Sequence, residues 1–452
     1  NASTSGDEVW VAAGTYLPSR DPFGNTSPNN PRDKTFFLKS GVNVYGGFIG
    51  NESTITARNI SANHTILSGD IGTVNNNNDN CYHVVMFVVP NTGTTGCVFD
   101  GFRVKDGLAN SSGTITISGV SVPHSRGAGI YANGGLLTVF RNNHVYNNLS
   151  SGYGGGISLK SGGFSIRQDS VYNNRAYWGG GLYTESCTDT VYNNAFYGNS
   201  AANGGGIYFN NPMPLYNNVI FNNSSSRGGG GVAYLTSGNA TCYGNIVYNN
   251  YSDFWGGGFL LEGGNYTSFN LINNVIFNNT SAENGGGVFT TANYCIYYNN
   301  TFYNNVSKYS NGTGGVAHRG HGAFNNNIFW RNMRNNVVAD VDIFPFYTVT
   351  TTNNIAINPL FVDTSKPLGI DGVPGTGDDG LRLTLCSPAV NAGGTINPSI
   401  LTDVIGNSRV GNYDIGAYEY QGAGPIHASA ITGDSAFCLN GNMSRSNTIH
   451  GG

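Results

Sequence analysis

The sequence contains an internal repeat of about 26 residues, and this repeat restricts the possible fold more than any other feature. Each unit carries a glycine-rich triplet followed by an apolar residue, and the last copy is incomplete. The last glycine of each triplet is at position 129, 156, 181, 206, 231, 258, 287 or 315. A second pattern runs in phase with the first: Asn, any residue, an apolar residue, two residues, Asn. Its eight copies run from Asn143 to Asn332, and one of them has Asp169 in place of the first Asn.

The repeat predicts an all-β fold, a right-handed parallel β-helix with coils of about 26 residues. Each unit holds short β-type runs between Gly and Asn and shows no helical period. Such runs cannot fold alone, but stacked coils pair every strand with the one below at ~4.8 Å. We expect the central apolar residues to point inward, the Asn side chains to form hydrogen-bonded ladders, and the glycines to serve close backbone approach or positive φ.

The regularity of the repeat divides the chain into four parts. Residues 1–126 are less regular coils, 127–332 are the regular repeats, and 333–420 are closing coils and a cap. We expect a cap because the last coil of a solenoid exposes unpaired backbone edges. Residues 421–452 are interpreted as a linker and the start of a following module.

The composition supports a folded chain. Hydrophobic residues make up 39% and aromatic residues 12%, which allows a buried core, and the 67 glycines lack the three-residue period of collagen. A net charge of −4 with no basic run gives no indication of nucleic-acid binding, and no apolar run approaches the ~18 residues of a membrane span. Cys81 and Cys97, the one close cysteine pair, are either bridged or simply buried.

Both the repeats and the ends resemble bacterial surface proteins. The glycine triplet before Ile207 and the Phe196-x-x-Asn199 element are similar to repeats of polymorphic outer-membrane proteins. The ends resemble β-helix proteins of the choice-of-anchor Q type, through residues 9–16, 358–362 and 414–420. This resemblance implies secretion by a Gram-negative bacterium and an extracellular or cell-surface location. It also implies an immunoglobulin-like module beginning near 426.

The acidic residues of the regular repeats do not suggest catalysis. A carbohydrate-cleaving site needs clustered carboxylates. Glu185 and Glu262 share a column but stand three coils apart, about 14 Å at the strand spacing, whereas glycosidase pairs are roughly 5–9.5 Å apart. We therefore expect no catalytic residue and predict a non-enzymatic adhesin or stalk segment; the alternative is a polysaccharide-binding or polysaccharide-cleaving protein. His318 and His321, the densest proton-transfer cluster, are interpreted as a solvated edge.

Three aromatic residues directly precede glycine triplets and are candidate ligand-binding residues: Tyr153, Trp178 and Trp255. Flat exposed rings in a row suit stacking on sugars, so the expected partners are glycans or other surface proteins. The alternative interpretation is that these rings cover bare glycine backbone.

Two further motifs point to a cation and to a modification. The glycine-rich stretch 369–380 holds Asp371, Asp378 and Asp379, a set of hard oxygen ligands that could bind calcium; the alternative is a polar turn in which Asp residues accept from backbone N–H groups. Three Asp-Ser/Thr-apolar sequences resemble the O-glycosylation motif of some Gram-negative surface proteins, with acceptors at Ser170, Thr190 and Ser435.

Overall fold

The chain winds into a solenoid in which each coil passes in turn through four sheets, called here A, B, C and D. The computed structural model describes residues 3–90, 93–343, 347–394 and 400–422, and the backbone of 435–439 and 442–446. Strands of successive coils pair in parallel, as in the register of Val171 with Phe196 and of Phe196 with Ile220. The predicted all-β parallel β-helix is thus confirmed.

Sheets A and B form two of the long faces. Sheet A has twelve strands: Glu8–Ala12, Asn43–Phe48, Val98–Asp100, Thr138–Arg141, Phe164–Arg167, Val191–Tyr192, Leu215–Tyr216, Asn239–Tyr243, Ser268–Ile272, Tyr294–Tyr298, His321–Asn325 and Val349–Thr352. Sheet B has eleven strands: Gly14–Tyr16, Thr65–Ser68, Phe102–Lys105, His144–Tyr146, Ser170–Tyr172, Ala195–Tyr197, Val219–Phe221, Ile246–Tyr248, Val275–Phe277, Thr301–Tyr303 and Ile328–Trp330.

Sheets C and D complete each coil. Sheet C has seven short strands, preceded by the separate pair Leu108–Ala109 and Leu149–Ser150: Ser200–Asn203, Ser224–Gly228, Tyr251–Ser252, Thr280–Ser281, Val306–Ser307, Met333–Arg334 and Val337–Val338. Sheet D has eleven strands: Phe36–Leu38, Val85–Val88, Ile130–Asn133, Ile157–Lys160, Leu182–Glu185, Ile207–Asn210, Val232–Leu235, Phe259–Glu262, Val288–Thr290, Val316–His318 and Val341–Ile343.

A few elements lie outside the four sheets. They are the hairpins Thr114–Ile117/Val120–Pro123 and Ser435–Leu439/Asn442–Ser446, and the 3₁₀ turns Pro31–Asp33, Ile55–Ala57 and Asn77–Asp79. Within the described ranges, no helix is long and apolar enough to cross a membrane.

The core is a stack of apolar residues from sheets A, B and D. The predicted central column of sheet B points inward, and all its members are at most 4% exposed: Val145, Val171, Phe196, Ile220, Val247, Ile276, Phe302 and Phe329. Cys81 and Cys97 are free and buried in the same core, so the interpretation as buried apolar side chains is the correct one.

The two Asn columns form continuous ladders inside the turns on either side of sheet B. The Nδ2 of Asn194 donates to Asn218 Oδ1 at 2.9 Å and to the Ile166 carbonyl at 2.9 Å, and its backbone N–H donates to the same Oδ1. The left-handed backbone conformation belongs to the residue before each ladder Asn, as in Asn193 with φ 57°. The Asn-Asn doublets of the sequence therefore combine one turn-forming Asn with one ladder Asn.

Each glycine of a triplet meets a different requirement. Gly179 has φ +63°, in the region that favours glycine. A Cβ on Gly180 would stand 2.5 Å from the carbonyl oxygens of Gly205 and Ser200, and a Cβ on Gly181 would stand 2.6 Å from Gly206 O. The triplet thus lets successive coils approach at the corner between sheets C and D.

Residues 361–394 and 400–420 pack on the outer face of sheet B in the later coils. Phe361, Leu381 and Ala417 bury apolar side chains against this face. A buried ion pair joins Arg409 to Glu419 at 3.0 Å, and Arg409 also donates to Asn273 Oδ1 at 2.7 Å. This segment is called the cap below. Apart from residues 421–422 and the backbone of one hairpin, the predicted linker and following module lie outside the described residues.

Candidate functional site

Tyr153 and Trp178, two of the predicted ligand-binding residues, stack on one another on neighbouring coils. Their ring centroids are 4.7 Å apart with an interplanar angle of 16°. Tyr183 meets Tyr153 edge-on at 4.7 Å, and the Arg126 guanidinium lies 3.9 Å from the Tyr153 centroid. Both rings are half-buried over the outer row of sheet D side chains, so they cover side chains as well as backbone.

Trp255, the third predicted residue, belongs to the same column three coils further on. One face of its ring stacks on Phe289 at 5.4 Å, and the neighbouring Phe254 meets it edge-on at 6.1 Å. Trp255 is 39% exposed and Phe254 42% exposed. The structure therefore brings Tyr153 and Trp178 together and places Trp255 in a separate cluster of three aromatic rings.

The acidic residues of the central coils are held apart. Glu185 accepts from Arg126 at 2.6 Å and lies 3.4 Å from Lys160. Burial opposes the charge of Glu185, but the bond from Arg126 and the charge of Arg126 outweigh it and lower the pKa of this carboxyl. Burial raises the pKa of Glu262, three coils away along the column. Glu185 and Glu262 are therefore about 14 Å apart at the strand spacing, which is beyond the separation that a glycosidase pair needs.

The interpretation of His318 as part of a solvated edge is wrong, because its ring lies in the core. His318 is fully buried, and it meets Tyr297 edge-on at 5.6 Å. Burial lowers the pKa of His318 to about 4. Only His321, on the following strand, is half-exposed.

In the loop 369–380 the three aspartates accept hydrogen bonds from within the cap. Asp378 accepts from Ile370 N–H, Asp371 N–H and the Thr376 hydroxyl, which lowers its pKa to about 2. Asp371 accepts from Val373 N–H, and Asp379 accepts from the Tyr418 hydroxyl at 2.8 Å. These bonds fit the alternative interpretation of a polar turn. In the part of the chain that the structure describes, no group of three or more His, Cys, Asp or Glu side chains could hold a metal.

The predicted modification sites occupy different surroundings. Ser170 opens a strand of sheet B and is half-buried, and Thr190 is half-buried just before a strand of sheet A. The side chain of Ser435 lies outside the described residues. Modification at these three positions stays a prediction.

Sequence reasoning missed an aromatic column on the outer face of sheet B. Its first six rings stack with centroid separations of 4.8–5.0 Å and planes within 12°. The available signal was the residue after each apolar centre, which is aromatic in all eight repeats: Tyr146, Tyr172, Tyr197, Phe221, Tyr248, Phe277, Tyr303 and Trp330. The cap buries Tyr248, Phe277 and Tyr303 and leaves the first three rings half-exposed.

A cleft of about 500 Å³ on the outer side of sheet C was also missed. Arg175 and Tyr177 stand at one end, and Tyr251 and Asp253 stand at the other. Serine and alanine side chains line the floor between them: Ala176, Ser200, Ala201, Ala202, Ser224, Ser225 and Ser226. Only the stacking of successive coils brings these two groups of residues into one cleft. The cleft lies beside the column that contains Trp178 and Trp255. This arrangement is called the sheet C cleft below.

The comparisons with known proteins agree with the β-helix fold and do not identify an activity. The family model described as right-handed β-helix region matches residues 107–276, which identifies the class as a right-handed parallel β-helix. A solved structure with similar overall shape is that of pectate lyase Pel9A, with 15% sequence identity, a TM-score of 0.46, and coverage of 92% of this chain and 89% of that chain. No curated protein matches this chain significantly.

Proposed function

We propose that this chain is a non-enzymatic, adhesin-type stalk segment of a secreted or cell-surface protein, which presents binding surfaces along a rigid rod. The observation that carries the proposal is a set of exposed aromatic rings in two groups, three coils apart on one edge of the rod. Tyr177 is 36% exposed, Phe254 42% and Trp255 39%. Exposed apolar groups that cluster in this way are typical of interaction sites.

The rod is suited to present such a surface. Sheet A alone has twelve strands, and its eleven spacings of ~4.8 Å give a length of about 53 Å. Continuous ladders and a stacked core tie each coil to its neighbours, so side chains on the outer edges keep a constant spacing. The resemblance of both ends to secreted β-helix proteins supports the proposed location.

The non-enzymatic part of the proposal rests on the separation of the acids. Glu185 is paired with Arg126 and Lys160, and Asp169 is buried in a ladder. Neither can act with Glu262 across three coils. The alternative, a polysaccharide-cleaving protein, would need a second group close to Glu262 to complete an acid–base pair.

A glycan array combined with a depolymerisation assay on the purified chain tests this proposal. We expect retention of glycans without release of shorter products from pectin-like, alginate-like or neutral polymers. Turnover that disappears in Glu262→Gln but persists in Glu283→Gln would overturn the non-enzymatic assignment, because the half-buried Glu283 serves as the matched control.

We propose separately that the loop 369–380 binds calcium and that Ser170 and Thr190 are O-glycosylated. Calorimetric titration of the whole chain with calcium tests the first, and Asp378→Asn is the informative variant. Intact-mass measurement of the chain from its natural host tests the second, since an added hexose changes the mass directly.

A further inference from the structure

We infer that the sheet C cleft is a binding site for short neutral oligosaccharides. This inference deepens the proposed function, on which it rests, by naming a site and a ligand class. The cleft joins two aromatic ends through a floor of small residues, and this combination is found neither at the Tyr153–Trp178 stack nor along the aromatic column of sheet B.

The dimensions of the cleft fit a short chain of sugar rings. Its volume of about 500 Å³ lies within the usual range of small-molecule sites. Tyr177 and Tyr251 are separated by three coils, about 14 Å at the strand spacing. Because the floor carries only Ser and Ala side chains, a ligand can lie between the two aromatic ends without displacing a larger residue.

The two tyrosines are held in place by neighbouring groups. Tyr177 meets Trp178 edge-on at 4.4 Å, and the Arg227 guanidinium lies 5.4 Å from the Tyr177 centroid. Lys308, from a later coil, lies 4.9 Å from the Tyr251 centroid. Burial and a hydrogen bond with Asp253 raise the pKa of the Tyr251 hydroxyl. Rings restrained in this way lose little freedom when a ligand contacts them.

The polar groups of the cleft suit hydroxyls rather than a charged group. Among the residues that line the cleft, Arg175 and Asp253 provide one charge of each sign at opposite ends, and both side chains are exposed. The further cations Arg227 and Lys308 lie against the two tyrosine rings. The hydroxyls of Ser224 and Ser226 can both donate and accept. A neutral sugar ring offers the same mixture of donors and acceptors on its edge and an apolar face for the aromatic ends.

The test uses the whole chain on an array of neutral and acidic oligosaccharides, with three variants. Tyr251→Ala removes one aromatic end, and Ser226→Ile fills the floor with a β-branched residue compatible with a strand. Tyr266→Ala is the matched control, because Tyr266 is 91% exposed in a loop away from the cleft. Melting curves that coincide with the parent chain establish that each variant is folded.

We expect binding to neutral oligosaccharides that falls about tenfold in Tyr251→Ala and Ser226→Ile, as the loss of an aromatic contact predicts, and that stays unchanged in Tyr266→Ala. Glycan binding that both cleft variants retain would refute the cleft assignment and leave the proposed function standing. Binding restricted to acidic glycans, or no glycan binding at all, would also refute the inference. Depolymerisation of a bound glycan would instead refute the proposed function.

Discussion

Asn143 donates from both its backbone N–H and its side-chain Nδ2 to one oxygen of Asp169, at 2.7 and 3.1 Å. Asp169 replaces Asn in the first ladder, and its own N–H continues the ladder to Asn194 Oδ1. The second oxygen, Oδ2, is buried and has no hydrogen-bond partner among the described residues. One coil earlier, the Nδ2 of Asn143 donates to the Phe99 carbonyl. Because Phe140 pairs with Phe99 in sheet A, the Phe140 carbonyl is the corresponding acceptor beside Asp169.

The Asp169 carboxyl is thus stabilised in its protonated form, and this predicts a pH-dependent stability. Burial raises the pKa of Asp169 to about 8, whereas an unfolded Asp titrates near pH ~3.9. Between these pH values the folded chain holds a proton that the unfolded chain has lost, so the free energy of unfolding falls as pH rises from about 4 to about 8. Asp100 strengthens this effect and Arg167 weakens it.

Replacing Asp169 with Asn should remove this dependence and supply the missing N–H donor. We expect Asp169→Asn to be more stable than the parent chain at pH 8, with a difference that shrinks towards pH 4. Urea unfolding at several pH values measures it, and Asp189→Asn, at an exposed position, is the control. An equal pH slope in the parent and in Asp169→Asn would contradict the assignment.

Truncation of Phe196 tests the inward stack of sheet B. The ring is fully buried between Val171 and Ile220, and Phe196→Ala should lower the free energy of unfolding by about 3–5 kcal/mol. Phe254→Ala removes a ring that is 42% exposed and should cost far less. Urea unfolding of both variants provides the comparison, and equal losses would exclude the stacked core as the source of stability.

Replacement of Asn218 tests the ladder itself. Asn218→Leu removes the donor to the Val191 carbonyl and the acceptor for Asn194 N–H, leaving both groups buried. We expect a loss of about 1–3 kcal/mol or more, because buried polar groups without partners are costly. Asn210→Leu, at an exposed strand end, is the control and should have little effect. A thermal or urea melt in which the two variants coincide would refute the ladder's contribution.

Gly180 tests the close approach of coils at the glycine corner. A Cβ at this position would stand 2.5 Å from two carbonyl oxygens, so Gly180→Ala must push neighbouring coils apart. We expect destabilisation of about 1–3 kcal/mol or failure to accumulate as folded protein. At Gly264 a Cβ meets nothing within 4 Å, so Gly264→Ala should fold normally. Equal yields and melting temperatures for the two variants would count against the corner geometry.

Arg409 tests the attachment of the cap. Its guanidinium is fully buried, pairs with Glu419 and reaches Asn273 on the coils. Arg409→Met should leave the Glu419 charge without its partner and cost about 3–5 kcal/mol. Limited proteolysis should then cut within residues 361–420 earlier than in the parent chain, while Arg331→Met, at an exposed position, should not change the pattern. Unchanged protection of the cap in Arg409→Met would contradict this role.

Local repetition in the sequence was sufficient to predict the fold. A residue that recurs at the same place in every coil must stack on its own kind, so the inward direction of Phe196 and the alignment of Asn194 with Asn218 follow from spacing. The structural role of Asp169 followed for the same reason. The left-handed position was not predictable in this way, because an Asn-Asn doublet does not show which Asn adopts positive φ and which forms the ladder.

The location of the cap and the sheet C cleft depended on tertiary structure. The cap covers Tyr248 and Phe277 but not Tyr146, although these rings are equivalent in the repeat, because a segment over a hundred residues later packs on only some coils. His318, in contrast, is buried because it occupies the inward column of sheet D in register with Thr290, where the rings of Tyr297 and Phe324 surround it.

The sequence by itself determined the coil, its core and its ladders, since each of these repeats a local spacing that stacking must preserve. Only the tertiary structure decided which outer surfaces are covered and that Tyr177 and Tyr251 face the same cleft. The repeat period does not determine which outer positions are covered, because their burial depends on contacts between residues far apart in the chain.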